Sequence, residues 1–598
     1  MTRVTAAMVA GGRTVAEPRL SPAGDQVAFV STENGASRLV LVGVDGGPER
    51  VLTTDPAPVA ARSLGGGAFD WLPDGSGIVF AGRRGGLWFQ PVAGGPARCI
   101  TEGDDIAAPA VSPDASRVAY EIDAHHVAVV GLDGSCPVRL SVDADFVADP
   151  AWAPDGRSVA WMEWDVPAMA WDASRIVVAP ADGSAPPRTI AGGDGVQVQQ
   201  PRYSPDGRAV AYLSDEGGWL NLTVLDLESG ATHVLAEERE HGGPTWGPGQ
   251  RSYAWSPDSR TIAVCRNEEG FGTLGLWSPE GERRQLGRAI HGGVSWVGDR
   301  IVAVRTGGRT PTQIVVYEGG DLTDRRTLAF GPVALGDADL PEPELVTWPA
   351  DDGVEIPGRL YRPSGADHPP LLCWIHGGPT DQWGVEFRAR FAYWIDRGWA
   401  ILVPDHRGST GHGRAFTQAL AGRWGELDVA DVAAGLQAAG ERRWGDPSRF
   451  VAMGGSAGGF TVLNLLASHP GLCSAGVDLY GVADLFALAE VDYRYEAHYL
   501  DSLVGPLPEH ASDYRDRSPV HRAESITDPL LILQGSDDEV VPPAQSLAIA
   551  DRLRALGRTV EVHVYEGEGH GWGRAATVID ELARTEAFLR RHVLRGGS

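Results

Sequence analysis

The 598-residue sequence predicts two domains of different class, an N-terminal seven-bladed β-propeller followed by a C-terminal doubly wound α/β domain. Three observations predict it. A turn-plus-strand unit recurs through the first half, strands and helices alternate only after about residue 340, and a Gly-flanked serine sits at a strand-to-helix junction in the second half.

The repeated turns are Ser21-Pro22-Ala23-Gly24, Leu72-Pro73-Asp74-Gly75, Ser112-Pro113-Asp114-Ala115, Ala153-Pro154-Asp155-Gly156, Ser204-Pro205-Asp206-Gly207 and Ser256-Pro257-Asp258-Ser259. A degenerate seventh is Ser295-Trp296-Val297-Gly298-Asp299. Proline presets the first turn position, and Asp and Gly close the turn. An apolar strand follows each copy, such as Gln26 to Val30 or Ala209 to Leu213, and further short strands lie between copies. A period of about 40–50 residues with several strands in each is the signature of propeller blades. Seven copies predict seven blades over residues 1–338, with residues 1–14 able to form a short helix packed on the second domain.

In the second half, 339–598, Glu344 to Trp348 and Ile356 to Tyr361 read as an antiparallel hairpin around Asp351-Asp352-Gly353. Strands follow near 371, 400, 450, 475, 530 and 560, with helical stretches such as Leu427 to Ala439 between them. That alternation predicts a mostly parallel sheet covered on both faces.

Composition narrows the function classes. The formal net charge of −28 opposes nucleic acid and anionic membranes as partners. The chain has no lysine, and its five cysteines, at 99, 136, 265, 373 and 473, form no Cys-x-x-Cys pair. This opposes a disulfide framework or a zinc cluster. The start, Met1 to Ala6, lacks a charged region followed by a long apolar run, and no stretch approaches the roughly 18 apolar residues of a membrane span. The expectation is a cytoplasmic protein without metal or other cofactor.

The chemistry concentrates at Gly454-Gly455-Ser456-Ala457-Gly458, after the apolar run Arg449 to Met453. A serine on a sharp strand-turn-helix elbow is exposed above the sheet, and small neighbours let the helix pack close to the strand. Asp538 follows the buried run Pro529 to Gly535, and His570 lies between glycines after a strand ending at Tyr565. The order Ser, Asp, His is that of the α/β-hydrolase fold, which makes the expected architecture an N-terminal seven-bladed β-propeller plus a C-terminal α/β-hydrolase domain. His376-Gly377-Gly378, after Leu371 to Ile375, supplies the usual second oxyanion donor. Ala457 and Gly378 are therefore the expected oxyanion-hole amides, with Gly377 adjacent. Asp537, Glu539 and Asp484 compete with Asp538 for the role of acid. His376, His469 and His563 read as structural.

Several segments resemble the prolyl oligopeptidase family of serine peptidases, in its acylaminoacyl-peptidase and dipeptidyl-aminopeptidase-like branch. Asp405 to Gly413 looks like that branch's R-G-S-T-G-Y-G loop, with His412 in place of the usual Tyr. Arg494-Tyr495-Glu496-Ala497-His498-Tyr499-Leu500 looks like its K-F-E-x-x-Y-L segment. Arg517-Ser518-Pro519, Val541-Pro542, and Glu163 to Asp172 also fit, with Val166 replacing a His. The family spacing G-x-x-D-x-x-V-P selects Asp538 as the acid. The resemblance implies an amide hydrolase for short peptides or aminoacyl amides, with the propeller as a size filter. An aminopeptidase or acylaminoacyl-peptidase leads. A dedicated amidase inactivating an aminoacyl antibiotic such as puromycin, a carboxypeptidase, and an esterase are alternatives, and a propeller scaffold with an inactive hydrolase domain is the non-enzyme one. The branch often assembles, so a homo-oligomer is compatible with it. Reading a free N-terminus needs a carboxylate, for which Glu496, Glu240 and Glu268-Glu269 are candidates. Reading a C-terminal carboxylate needs Arg407 or Arg494. Tyr480, Val482, Phe486 and Tyr493 are candidates for an apolar S1 pocket.

Overall fold

The computed structural model describes residues 3–53, 55–59, 66–135, 137–331, 341–491 and 494–594. The expected boundary at 338/339, Cys136 and Tyr493 lie outside the described residues. The chain divides into two compact units, Arg13–Pro332 with Gly384–Glu386, and the remainder, which includes Met1–Gly12.

The first unit is the propeller: seven antiparallel sheets of four consecutive strands each. The recurrent turn joins a blade's first strand to its second, as between Thr14–Leu20 and Gln26–Glu33. Its side chains explain the repetition. In three copies the serine hydroxyl donates to the turn aspartate, Ser112 to Asp114 at 2.6 Å, Ser204 to Asp206 at 2.7 Å and Ser256 to Asp258 at 2.6 Å. The same hydroxyls accept from amides at or just before the start of the next strand, Arg117, Ala209 and Thr261, at 2.9–3.0 Å. Hydrogen bonding to Ser112 and Ser116 holds the Asp114 carboxyl down at about 2. The seventh copy turns between Ile290–Val297 and Arg300–Gly307. No ladder joins the first blade's inner strand, Thr14–Leu20, to that of the last. At this junction Val15, Leu20 and Val42 pack with Val302, Ile314 and Val316, and Leu20 N donates to Ser295 Oγ at 3.3 Å and Arg300 Nη1 to Gly24 O at 3.1 Å.

The second unit holds an eight-stranded sheet: β1 (Glu344–Pro349), β2 (Glu355–Tyr361), β3 (Leu371–Ile375), β4 (Ala400–Pro404), β5 (Phe450–Gly455), β6 (Ala475–Leu479), β7 (Leu530–Gly535) and β8 (Val560–Tyr565). The spatial order is β1-β2-β4-β3-β5-β6-β7-β8, antiparallel at β1-β2-β4 and parallel thereafter. Strands β3 and β7 are buried throughout, which is why they read as continuous apolar runs rather than alternating ones.

The helices that cover this sheet and frame its serine elbow include α1 (Ala6–Ala10), α2 (Ala389–Asp396), α3 (Leu427–Glu441), α4 (Ala457–Ser468), α5 (Tyr499–Leu503), α6 (Pro543–Ala555) and α7 (Ala575–His592). Successive side chains of β3 go to opposite faces. Leu371, Cys373 and Ile375 meet Leu436, Leu463 and Leu553 from α3, α4 and α6. Leu372 and Trp374 meet Phe391, Trp394, Leu582 and Phe588 from α2 and α7. Val4, fully buried, joins that second core just ahead of α1, and its amide donates to Asp396 at 3.2 Å. Thr5 caps α1 by accepting from Met8 at 3.2 Å. The terminal segment ends at Gly12 because Thr14–Leu20 already belongs to the first blade. Among the described residues, no helix is long and apolar enough to cross a membrane.

Candidate active site

Ser456 stands between β5 and α4 with φ 57° and ψ −126°, a left-handed conformation that a side-chain-bearing residue adopts only under constraint. Its amide donates to Leu479 O at 3.0 Å, and its carbonyl accepts from Phe460 at 3.1 Å. The small neighbours are required sterically. A Cβ on Gly454 would lie 2.5 Å from the Gly458 carbonyl carbon, and one on Gly458 would lie 2.4 Å from Ile375 O. The amide of Ala457 opens a helix of 12 residues, where the backbone N–H groups lack intrahelical partners.

Asp538 follows β7 and its side chain is fully buried. Oδ1 accepts from the amides of Val540 at 3.0 Å and Val541 at 2.9 Å. Oδ2 accepts from Gln534 Nε2 at 3.2 Å and lies 2.8 Å from His570 Nδ1. A carboxylate can only accept, so the proton of this last bond sits on Nδ1 and leaves Nε2 free to act as a base.

Tyr480 packs against both His570 and the serine elbow. Its ring lies edge-on to His570 at 4.7 Å and to Trp572 at 5.2 Å. The same ring covers Gly455, the residue before Ser456, where an added Cβ would lie 3.0 Å from it. Burial pushes the Tyr480 phenol up to about 12, so it stays neutral.

Beside Ser456 and Ala457 lies a pocket of about 590 Å³, mouth included, walled by Gly378, Pro379, Trp424, Val482, Leu488, Ala489, Val491, Glu496, Ala497, Tyr499, Leu500, Leu503, Val540 and Val541. Glu496 is the ionisable carboxyl among these described residues. Burial pushes it up to about 7, against the pull of nearby His570. Gly378 has φ 120°, a value that favours glycine, and a Cβ there would lie 2.9 Å from the Thr380 amide.

Of the expected pocket residues, Val482 and Glu496 line the cavity. Tyr480 flanks His570 instead. Three expectations need correction. Phe486 does not line the pocket: its ring is held by Tyr514 at 5.4 Å, on a short helix that Asp484 caps by accepting the Phe486 amide at 2.9 Å. Arg494 is exposed on a 3-10 turn and does not line the cavity. Arg407 is buried and committed to ion pairs with Asp431, at 2.6 Å, and with Asp352, so it is not available to a substrate carboxylate. Glu240 is a buried residue of the propeller, its carbonyl accepting from Asn267 at 2.7 Å, and Glu268 pairs with Arg266 at 3.1 Å. Among the competing acids, Asp537 and Glu539 are exposed, and Asp484 is committed to capping the Phe486 helix. His376 is buried between Ser409, at 2.7 Å, and a stacked His406, and burial holds it down at about 3. His469 ends α4, and His563 lies within β8. Trp424, Leu488, Leu500 and Leu503 were not anticipated, since apolar residues in a helical stretch read first as core. Among the described residues, no group of three or more His, Cys, Asp or Glu is placed to hold a metal ion.

Residues 385–595 match the prolyl oligopeptidase family. Dipeptidyl aminopeptidase BIII of Pseudoxanthomonas mexicana is 34% identical over 269 residues, 42% of this chain and 39% of that relative, so the chain matches about two-fifths of its length. A crystal structure of puromycin hydrolase is 31% identical, with a TM-score of 0.89 over 99% of this chain and 96% of the other. A puromycin-hydrolyzing peptidase of Mycobacterium tuberculosis is 26% identical, with a TM-score of 0.90 over the same shares. With the elbow serine, the propeller and the eight-stranded sheet in place, and with a relative above 30% identity aligned along nearly its whole length, the chain belongs to the prolyl oligopeptidase family of serine peptidases.

Proposed function

We propose that the chain is an aminopeptidase-type exopeptidase that cleaves the amide after a single free, apolar amino-terminal residue of short peptides and aminoacyl amides. The carrying observation is the pocket beside Ser456, apolar on its walls and bearing the Glu496 carboxyl close to His570. A P1 side chain fits the walls, and the α-ammonium of the same residue needs one buried carboxylate within reach of the scissile carbonyl.

Ser456 Oγ attacks the carbonyl carbon as His570 Nε2 takes its proton. Asp538 keeps the ring oriented and stabilises the imidazolium. The oxyanion is held by the Ala457 and Gly378 amides. Collapse returns the proton to the leaving amine and leaves an acyl-enzyme on Ser456. Water, deprotonated by the same histidine, then releases the acid and restores Ser456.

A second reading, an acylaminoacyl-peptidase, is favoured by the raised Glu496 pKa, because a protonated carboxyl donates to an acyl carbonyl. The names of the solved relatives add an aminoacyl nucleoside antibiotic to the substrates worth trying. A carboxypeptidase is disfavoured by the ion-paired Arg407.

The test is a panel of aminoacyl and N-acetyl-aminoacyl p-nitroanilides, with puromycin beside them and Ser456→Ala as the control. Turnover of free aminoacyl amides, lost in the alanine variant, supports the reading. Turnover confined to the acetylated set replaces it with the second one.

A further inference from the structure

Tyr499 opens α5, is 5% exposed, and contributes to the pocket wall with Leu500 and Leu503. Its hydroxyl leaves that apolar wall for a specific partner. It donates to Thr380 Oγ1 at 2.6 Å and accepts from the Thr380 amide at 3.2 Å. One phenol thus grips both side chain and backbone of a residue two positions beyond Gly378.

The grip matters because this loop is tight. At Gly378 an added Cβ would lie 2.9 Å from the Thr380 amide and 3.1 Å from Asp381 Cβ, and only Pro379 separates Gly378 from Thr380, so a shift of Thr380 is passed to Gly378 along the chain. Further along, Asp381 O accepts from the Thr410 amide at 3.0 Å, and Gln382 Nε2 donates to Asp405 at 2.8 Å. Asp405 is itself buried in an ion pair with Arg359 and lies 2.7 Å from His412 Nε2. The sheet side of the loop is therefore anchored to rigid core, while the pocket side is anchored to Tyr499. Elsewhere α5 is fastened through backbone bonds, Gly422 N to Ser502 O at 2.9 Å and Trp424 N to Leu503 O at 3.1 Å, so Tyr499 is presented from a fixed element.

We infer that Tyr499 is a positioning residue that couples filling of the side-chain pocket to alignment of the Gly378 oxyanion donor. The inference rests on the aminopeptidase reading of this same site. A large P1 side chain packs on the Tyr499 ring and steadies the hydroxyl against Thr380, so selectivity for large P1 residues is expressed in kcat as well as in KM.

The experiment compares wild type, Tyr499→Phe, Thr380→Val and the double variant on phenylalanyl and alanyl p-nitroanilides. Misplacement of catalytic geometry by about 1 Å costs about 10²-fold in rate, which bounds the effect. In Tyr499→Phe the expected result is a kcat loss of roughly 10- to 100-fold on the phenylalanyl substrate, with KM within about twofold, and a smaller loss on the alanyl one. Thr380→Val should reproduce it, and the double variant should lose no more than either single one, since both break one contact. Unchanged kcat in Tyr499→Phe, equal losses on the two substrates, or losses that multiply in the double variant would overturn the inference. Fluorophosphonate labelling of Ser456 keeps the two levels apart. Labelled Tyr499→Phe with unchanged kcat refutes the coupling alone, whereas labelled wild type that turns over neither aminoacyl substrate refutes the aminopeptidase reading beneath it.

Discussion

Asp538 and His570 meet through a 2.8 Å contact in which the carboxylate is already satisfied on its other oxygen by two consecutive backbone amides. The orientation of the imidazole is thus set by main chain as much as by charge. In Asp538→Asn the amide still fits, but an –NH₂ turned toward Nδ1 stabilises the wrong tautomer. The expected outcome is a loss of about 10⁴-fold in kcat at neutral pH, with KM little changed. Steady-state kinetics on one aminoacyl p-nitroanilide check it.

Glu496 gives the second prediction. Its folded-state carboxyl titrates near 7 because it is buried, whereas the ordinary value is 4.5. The folded chain therefore holds a proton between those values that the unfolded chain has released, and stability falls as pH rises through that window. Binding runs the other way, since only the ionised form pairs with an α-ammonium. KM for free aminoacyl amides should fall as pH rises through about 7. Glu496→Gln should remove this dependence, raise KM by roughly 10- to 100-fold, and flatten the thermal midpoint between about pH 5 and 8. N-acetylated substrates should be unaffected. Paired pH–KM and pH–Tm profiles read both effects.

Arg407 supplies a test of the corrected assignment. Its guanidinium neutralises Asp431, whose side chain is fully buried. Arg407→Met should destabilise by about 3–5 kcal/mol, because a buried carboxylate loses its partner. KM for peptides should not move. A KM increase specific to substrates with a free C-terminal carboxylate would return Arg407 to the binding site.

The elbow predicts a steric effect. Gly458→Ala places a methyl 2.4 Å from Ile375 O and 2.8 Å from His376 O, both backbone atoms that cannot swing aside. The cost should be at least about 1–3 kcal/mol, seen as a lower denaturant midpoint. Activity should fall with it, since Ser456 loses its backbone geometry.

The seven blades and the serine elbow were legible in the sequence for a common reason: their signals are local. A Ser-Pro-Asp-Gly turn carries its own hydrogen bonds, as Ser112 and Asp114 show, and a strained serine announces itself by the glycines around it. The pocket was legible in Val482, just past the β6 strand, and in Glu496, a carboxyl within the segment that resembles the family's K-F-E-x-x-Y-L stretch. Phe486 and Arg407 misled because side-chain direction is decided by partners distant in sequence, Tyr514 for one and Asp431 for the other. Tyr499 lies within the segment that resembles the family's K-F-E-x-x-Y-L stretch, yet only the fold brings its hydroxyl to Thr380.

The way the propeller ring closes bears on how solvent acts on it. Its seam joins Val15, Leu20 and Val42 to Val302, Ile314 and Val316 without a shared strand ladder. The apolar share of this joint owes its strength to the solvent cost of exposing that surface. That share should tighten in sulfate, loosen in dilute urea, and weaken on cooling. The apolar share of the seam is, in that sense, tuned by water activity rather than by pH.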